Sequence, residues 1–385
     1  MQPVLIPHTP EDLAEIIASA ASRKQTISLG GANTKRRMAG PILPADITIS
    51  TTSLNRVLCY EPRDLTISVE AGLRWSELTR MLAGNAQMIP LDPPFAENAT
   101  VGGVVASNAS GPRRRIYGSA RDLVIGMKFA TLAGKIVQSG GMVVKNVAGL
   151  DMGKLMIGSF GTLAAIAVVN FKLIPQPSLE RSFLLAFPSL AGAISARDAI
   201  LQSVLQPAAL DILSPPLTAH LGRQGYALAV RATGNTASID RYEKEMAGIG
   251  SGVALDGADQ DSLWRYIQNF TERFLDSHPD GAMVRVSCTL KELEQVLSST
   301  EAAAIARGGS GVVYAHFANS VAAAEWAREG ARRGWKAVVE FCPESQKERL
   351  ELWPAPGGDF DVMQKVKLMF DPDQLLNRGR LYRRL

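Results

Sequence analysis

The chain has 385 residues, enough for two domains each with a core of its own. Apolar residues make up 46% and charged ones 20%, a globular composition, and no apolar stretch is long enough for a membrane-spanning helix to be expected. Lysine plus arginine (41) barely exceed aspartate plus glutamate (37), and a net charge of +4 gives no reason to expect a nucleic-acid partner.

The first residues lack both a basic and an apolar region, so no secretory signal is expected. Cys59, Cys288 and Cys342 are odd in number, far apart and form no C-x-x-C. They predict no disulfide framework, no metal site and no iron–sulfur ligand set, and a reduced, cytoplasmic compartment.

A helix opens the fold: Thr9 as N-cap, Pro10 at the first helical position and Asp12 at N3, followed by the apolar face Leu13, Ile16, Ile17 and Ala20. A strand over 26–29 runs into a glycine-rich loop. Ile67, Val69 and Ala71 alternate with Ser68 and Glu70, which predicts a half-buried strand. Residues 129–132 and 135–138 flank Ala133-Gly134 as a hairpin, and 162–173 is a long apolar strand stopped by Pro175 and Pro177. That proline pair is the expected domain boundary. Beyond it, strands over 182–187, 208–213 and 226–232 alternate with helices over 190–205 and 236–246, and a similar set follows from 283 to 340. The expected class is α+β: a first domain over 1–175, a smaller α+β cap over 176–350, and a segment over 351–385 that returns to the first domain.

Neither G-x-G-x-x-G nor G-x-x-x-x-G-K-[ST] occurs, which argues against a nicotinamide Rossmann domain and a P-loop. Three other segments carry chemistry. Gly30, Gly31, Ala32, Asn33, Thr34 and Lys35 follow a strand and offer backbone N–H groups, a hydroxyl and an ammonium to a phosphate; alone, such a loop is more often a plain turn. Residues 90–112 hold few charges and many small side chains. They run from Pro90 through Ala99, Thr100, Val101, Gly102 and Gly103 to Ser107, Asn108 and Gly111, a composition that lets backbone lie flush against a ligand. Residues 143–163 read as a strand, a turn and a short helix, and Gly158, Gly161 and Thr162 then lead into the buried strand that contains Ile166.

Together and in this order, these segments resemble the FAD domain of the vanillyl-alcohol oxidase and p-cresol methylhydroxylase superfamily. The matching stretches are 31–35, 61–65 (Glu-Pro-Arg-Asp-Leu), 99–103 with Ser107 and Asn108, Arg121-Asp122, and 158–163. Residues 145–149 (Lys-Asn-Val-Ala-Gly) and 370–377 (Phe-Asp-Pro-Asp-Gln-Leu-Leu-Asn) narrow the likeness to the E subunits of bacterial glycolate oxidases. The resemblance implies FAD as cofactor, with 31–34 and 99–103 along its phosphates and ribityl chain. It places 158–162 and Ile166 near adenine or ribose, and brings Asn377 back to the flavin. With no histidine in these segments to serve as an anchor, the FAD is expected to be non-covalent.

The resemblance also implies partners: a catalytic flavoprotein subunit, an iron–sulfur subunit, a small 2-hydroxy acid as substrate of the complex, and peripheral contact with the membrane through those partners. Alternatives are a self-sufficient D-2-hydroxy-acid dehydrogenase and a non-catalytic structural paralogue. Catalytic residues are not assigned. His8, His220, His278 and His316 are the only histidines, and His316 lies on an apolar strand without the second histidine and acidic ligand that neighbouring dehydrogenases carry. Leu150 stands where relatives place tyrosine. Arg223, Arg231, Arg265 and Arg285 could each bind a carboxylate, and the basic clusters 35–37, 113–115 and 378–384 read first as solvated surface.

Overall fold

The computed structural model describes residues 3–143 and 150–385. Residues 145–149, which help carry the resemblance to the E subunits, lie outside the described residues. The chain forms two units, one of Met1–Ser110, Gly118–Gln176 and Ala355–Leu385, the other of Gly111–Tyr117 and Pro177–Pro354.

In the first unit, β1 (Val4–Leu5), β2 (Ile27–Gly30) and β3 (Ile47–Ser50) make a parallel sheet of order β1-β3-β2. The helix Pro10–Ser22 that links β1 to β2 starts on a capping box: the Asp12 N–H donates to Thr9 Oγ1 at 3.0 Å and the Thr9 N–H to Asp12 Oδ2 at 3.1 Å. Its Leu13, Ala14 and Ile17 pack with Ile27, Ile47, Ile49 and Ala167 into one core. An antiparallel sheet follows, built from β4 (Val57–Glu61), β5 (Thr66–Glu70), β7 (Val124–Ala130), β8 (Ile136–Gly140) and β9 (Ala165–Lys172) in the order β4-β5-β9-β7-β8. β6 (Gln87–Met88) pairs with β10 (Ile174–Pro175) beside it. The helices Trp75–Ala83 and Val101–Ala106 cover this sheet and bury Trp75, Leu78, Leu82, Val101 and Val105 against Val69, Phe129 and Phe171. β9 is the apolar strand expected over 162–173; its N-terminal half lines a cleft.

The second unit is one antiparallel sheet of β11 (Leu179–Phe187), β12 (Ala209–Leu213), β13 (Tyr226–Gly234), β14 (Gly252–Leu255), β15 (Ala282–Ser287), β16 (Ala303–Arg307), β17 (Val312–Phe317) and β18 (Lys336–Phe341). Their order is β14-β11-β13-β12-β16-β17-β15-β18. The two halves mirror each other: each runs strand, helix, two strands, helix, strand, with the short helix Pro215–Ala219 added between β12 and β13 in the first, and they join where β12 pairs with β16 through Ile212 and Ala306. One face carries the helices Leu190–Gln202, Thr236–Ile249, Leu293–Ser298 and Ser320–Arg332 over a single core. On the other face, Leu263, Trp264, Ile267 and Phe270 of Gly257–Gln268 and Phe270–Ser277 cover Leu184, Leu213 and Ile305. This is the expected α+β class.

Candidate cofactor cleft

The end of β2, the loop after it, the helix Val101–Ala106, the loop before β9 and the carboxy-terminal segment enclose a cleft in the first unit. It holds about 900 Å³ of empty space, its open mouth included. Gly30, Gly31, Ala32, Asn33, Thr34, Lys35, Thr100, Gly102, Gly103, Ser107, Gly161, Ile166 and Asn377 all line it. Segments far apart in sequence thus converge on one cavity.

Close backbone approach explains the glycines. A Cβ on Gly31 would lie 2.2 Å from Thr100 Oγ1, so only a residue without one lets the first loop meet the second segment. Thr100 caps its short helix by accepting from the Gly103 N–H at 3.3 Å. The Phe160 N–H donates to Ala106 O (2.9 Å) and the Gly158 N–H to Val105 O (3.2 Å), which docks the third segment on the second. Gly161 has φ +70°, and a Cβ there would lie 2.8 Å from Asn377 Nδ2.

Asn377 ties these walls together. Its Nδ2 donates to Leu29 O (3.0 Å) and Phe160 O (2.8 Å), and its Oδ1 accepts from the Leu29 N–H at 2.7 Å. The sequence reading expects this side chain to reach the flavin; it lines the cleft and cross-links β2 to the loop 158–161.

The remaining candidates stand apart from the lining. Ala99 and Val101 are buried in the core behind the cleft, Thr162 donates through Oγ1 to Ser159 O at 2.8 Å, and Pro90 is buried. Asn108 adjoins Ser107 with φ +48°, and its buried Oδ1 has no hydrogen-bond partner among the described residues. Gly158 has φ +83° and faces Asn108. Gly111 belongs to the second unit, where Arg115 donates to Pro207 O at 3.0 Å.

Sequence reasoning missed Ser28, Leu29, Arg36, Ile42, Thr51, Ala106, Phe160, Ala164 and Arg380, which also line the cleft. Arg36 and Arg380 lay inside clusters read as solvated surface. Arg380 is 7% exposed, donates to Gly40 O and Met38 O at 2.7 Å each, and lies 5.6 Å over the Phe160 ring. Among the described residues the lining therefore carries three cations, Lys35, Arg36 and Arg380, and no carboxylate. Small side chains, close backbone and an excess of positive charge fit a dinucleotide with an anionic pyrophosphate.

The other candidates for chemistry lie in the second unit. His316 is 2% exposed, with Nδ1 3.0 Å from Ala303 O and Nε2 2.9 Å from Thr271 Oγ1, and edge-on to Phe270. Burial pulls its pKa down to about 4. It is a satisfied core histidine. Arg231 holds Glu180 at 2.5 Å and Arg285 holds Glu340 at 2.8 Å, so each already has a carboxylate of this chain. Among the described residues no three His, Cys, Asp or Glu side chains are grouped to hold a metal ion, and no helix is long and apolar enough to cross a membrane.

A cationic, glycine-walled cleft in one unit and a mirrored antiparallel sheet in the other accompany matches to two FAD-linked family models. Residues 1–140 match the family described as FAD binding domain and residues 176–352 that described as FAD linked oxidases, C-terminal domain. The chain carries both domains, and FAD is its cofactor. Glycolate oxidase subunit GlcE of Escherichia coli K12 is 36% identical over 171 residues, 44% of this chain and 48% of that protein. Glycolate oxidase subunit GlcD of Bacillus subtilis 168 is 26% identical over 254 residues (64% and 54%). A D-lactate dehydrogenase of Anaerostipes hadrus is 27% identical over 286 residues (73% and 58%). The chain spans about half the length of the curated relatives it matches. The solved structure of p-cresol methylhydroxylase with substrate bound has the same fold, with a TM-score of 0.75 at 16% identity over 98% of this chain and 88% of that one.

Proposed function

We propose that this chain is the FAD-binding subunit of a complex that oxidises glycolate to glyoxylate and passes the electrons to an acceptor through partner chains. FAD, when bound, supplies the two-electron acceptor for an α-C–H hydride. The chain's own residues hold it: the N–H groups of the loop from Gly30 to Lys35 and the hydroxyl of Thr100 take the pyrophosphate, Lys35, Arg36 and Arg380 offset its charge, and Gly103 and Ser107 lie along the rest. Binding is non-covalent. The carrying observation is the contrast between a cleft lined by small side chains and cations, which suits FAD, and a histidine, His316, that is sealed in a core and cannot reach a substrate hydroxyl. The likeness to proteins named as glycolate oxidase subunits supports a multi-subunit complex, and the partners we propose are a catalytic flavoprotein chain and an iron–sulfur chain.

A second reading, a self-sufficient D-2-hydroxy-acid dehydrogenase, is favoured by one observation: the match to a D-lactate dehydrogenase covers 73% of the chain and so extends past the first domain. An anaerobic absorbance titration separates the two. The purified chain should show the oxidised flavin band and keep it with excess glycolate or D-lactate, and co-expressed partner chains should restore turnover. Rapid bleaching of the isolated chain by either acid would establish the second reading in place of the first.

A further inference from the structure

The carboxy-terminal wall of the cleft is held by a buried ion pair that does not itself line the cleft. Lys367, 3% exposed on the helix Phe360–Phe370, donates from Nζ to Asp371 Oδ2 (2.6 Å), Thr162 O (2.7 Å) and Leu376 O (3.1 Å). All three ammonium donors are thus committed. Asp371, fully buried, accepts from the Leu375 N–H through Oδ1 and the Leu376 N–H through Oδ2, both at 2.8 Å. The next residue is Asn377, whose amide joins Leu29 to Phe160. Together with the backbone bonds from the Ile27 N–H to Leu375 O (2.8 Å) and from the Asn377 N–H to Ile27 O (3.0 Å), the pair sets the register of 375–377, and through Thr162 O it sets the distance of that segment from the loop before β9.

We infer that Lys367 and Asp371 are positioning residues for the cofactor: they latch the carboxy-terminal segment across the cleft, and FAD binds the latched form in preference. This rests on the assignment of the cleft to FAD. A buried ion pair is a poor source of net stability, because burying the charges offsets much of their attraction, but it specifies one arrangement strongly. Replacing both charges by apolar groups of similar volume can therefore restore stability without restoring register. By linkage, a cofactor that prefers the latched form must also hold the latch closed.

The test compares FAD affinity with stability in the full chain, using FAD fluorescence quenching on apoprotein and thermal melting. Lys367→Met and Asp371→Leu alone should lower the melting temperature and weaken FAD at least tenfold. The double variant Lys367→Met/Asp371→Leu should recover most of the melting temperature and remain at least tenfold weak for FAD. Wild-type affinity in the double variant would overturn the latch, because the pair would then serve stability alone. Should the variants fail to fold, hydrogen exchange on the native chain decides: FAD should slow the Leu375, Leu376 and Asn377 amides at least tenfold more than Val69 and Val169 in the antiparallel sheet, and equal slowing would overturn the inference. A wild-type chain that takes up no FAD would instead overturn the cofactor assignment beneath it.

Discussion

Adjacent glycines on one helical turn can have opposite duties. The missing Cβ of Gly102 would lie 2.8 Å from the Ala71 Cβ, and its N–H donates to Ala71 O at 2.7 Å, so this glycine lets the helix seat on the sheet. A Cβ on Gly103 would meet only Thr100 Oγ1, at 3.2 Å, in a position that lines the cleft. Gly102→Ala is expected to cost about 1–3 kcal/mol by overpacking, read as a lower urea midpoint. Gly103→Val should keep a near-native circular dichroism spectrum and purify without flavin; full flavin occupancy would show that the cofactor lies elsewhere. His316 gives a pH dependence. Its imidazole titrates near 6.5 in the unfolded chain and at about 4 when buried. Between those values the unfolded chain binds the extra proton. Its contribution to stability is therefore complete above pH 6.5 and lost as pH falls toward 4, by up to about 3 kcal/mol. Melting curves from pH 7 to 4 should show this loss in the wild type and a smaller one in His316→Gln.

The elements of the second unit meet at one pairing, β12 with β16, and the seam carries an ion pair. Asp211 is fully buried, lies opposite Arg307 in register, and bonds its guanidinium, which also lies 5.4 Å over Tyr314. Asp211→Ala would leave a largely buried arginine without its carboxylate and should cost about 3–5 kcal/mol in urea unfolding. β16 is also where sequence reading lost its way. Residues 303–307, Ala-Ala-Ile-Ala-Arg, show no period-2 pattern because the strand is buried on both faces, and alanine favours helix. Partners on either side override that preference. The helices Gly257–Gln268 and Phe270–Ser277 were likewise unread, since the strand-and-helix alternation has no place for an element that covers the sheet's second face. The glycine loops, by contrast, were legible: a backbone that must approach a ligand excludes most side chains, and that exclusion leaves a compositional trace. Arg380 left none, because a buried arginine that satisfies carbonyls has the same letter as a solvated one.

At the scale of the molecule, no histidine among the described residues lines the cleft, and FAD should be held without a covalent bond. Acid precipitation is expected to leave all flavin in the supernatant; yellow colour in the pellet would contradict this. The first unit is also discontinuous, made from 1–110, 118–176 and 355–385, whereas 177–354 of the second is one uninterrupted stretch. During synthesis domains fold as units from the amino terminus, so the second unit has its sheet and both helical faces in hand while the first still lacks a wall. Asn377 and Arg380 leave the ribosome after every other residue of the cleft. The cleft is therefore complete only once Asn377 and Arg380 have emerged, and a chain cut after residue 354 is expected to lack that wall and to bind FAD poorly.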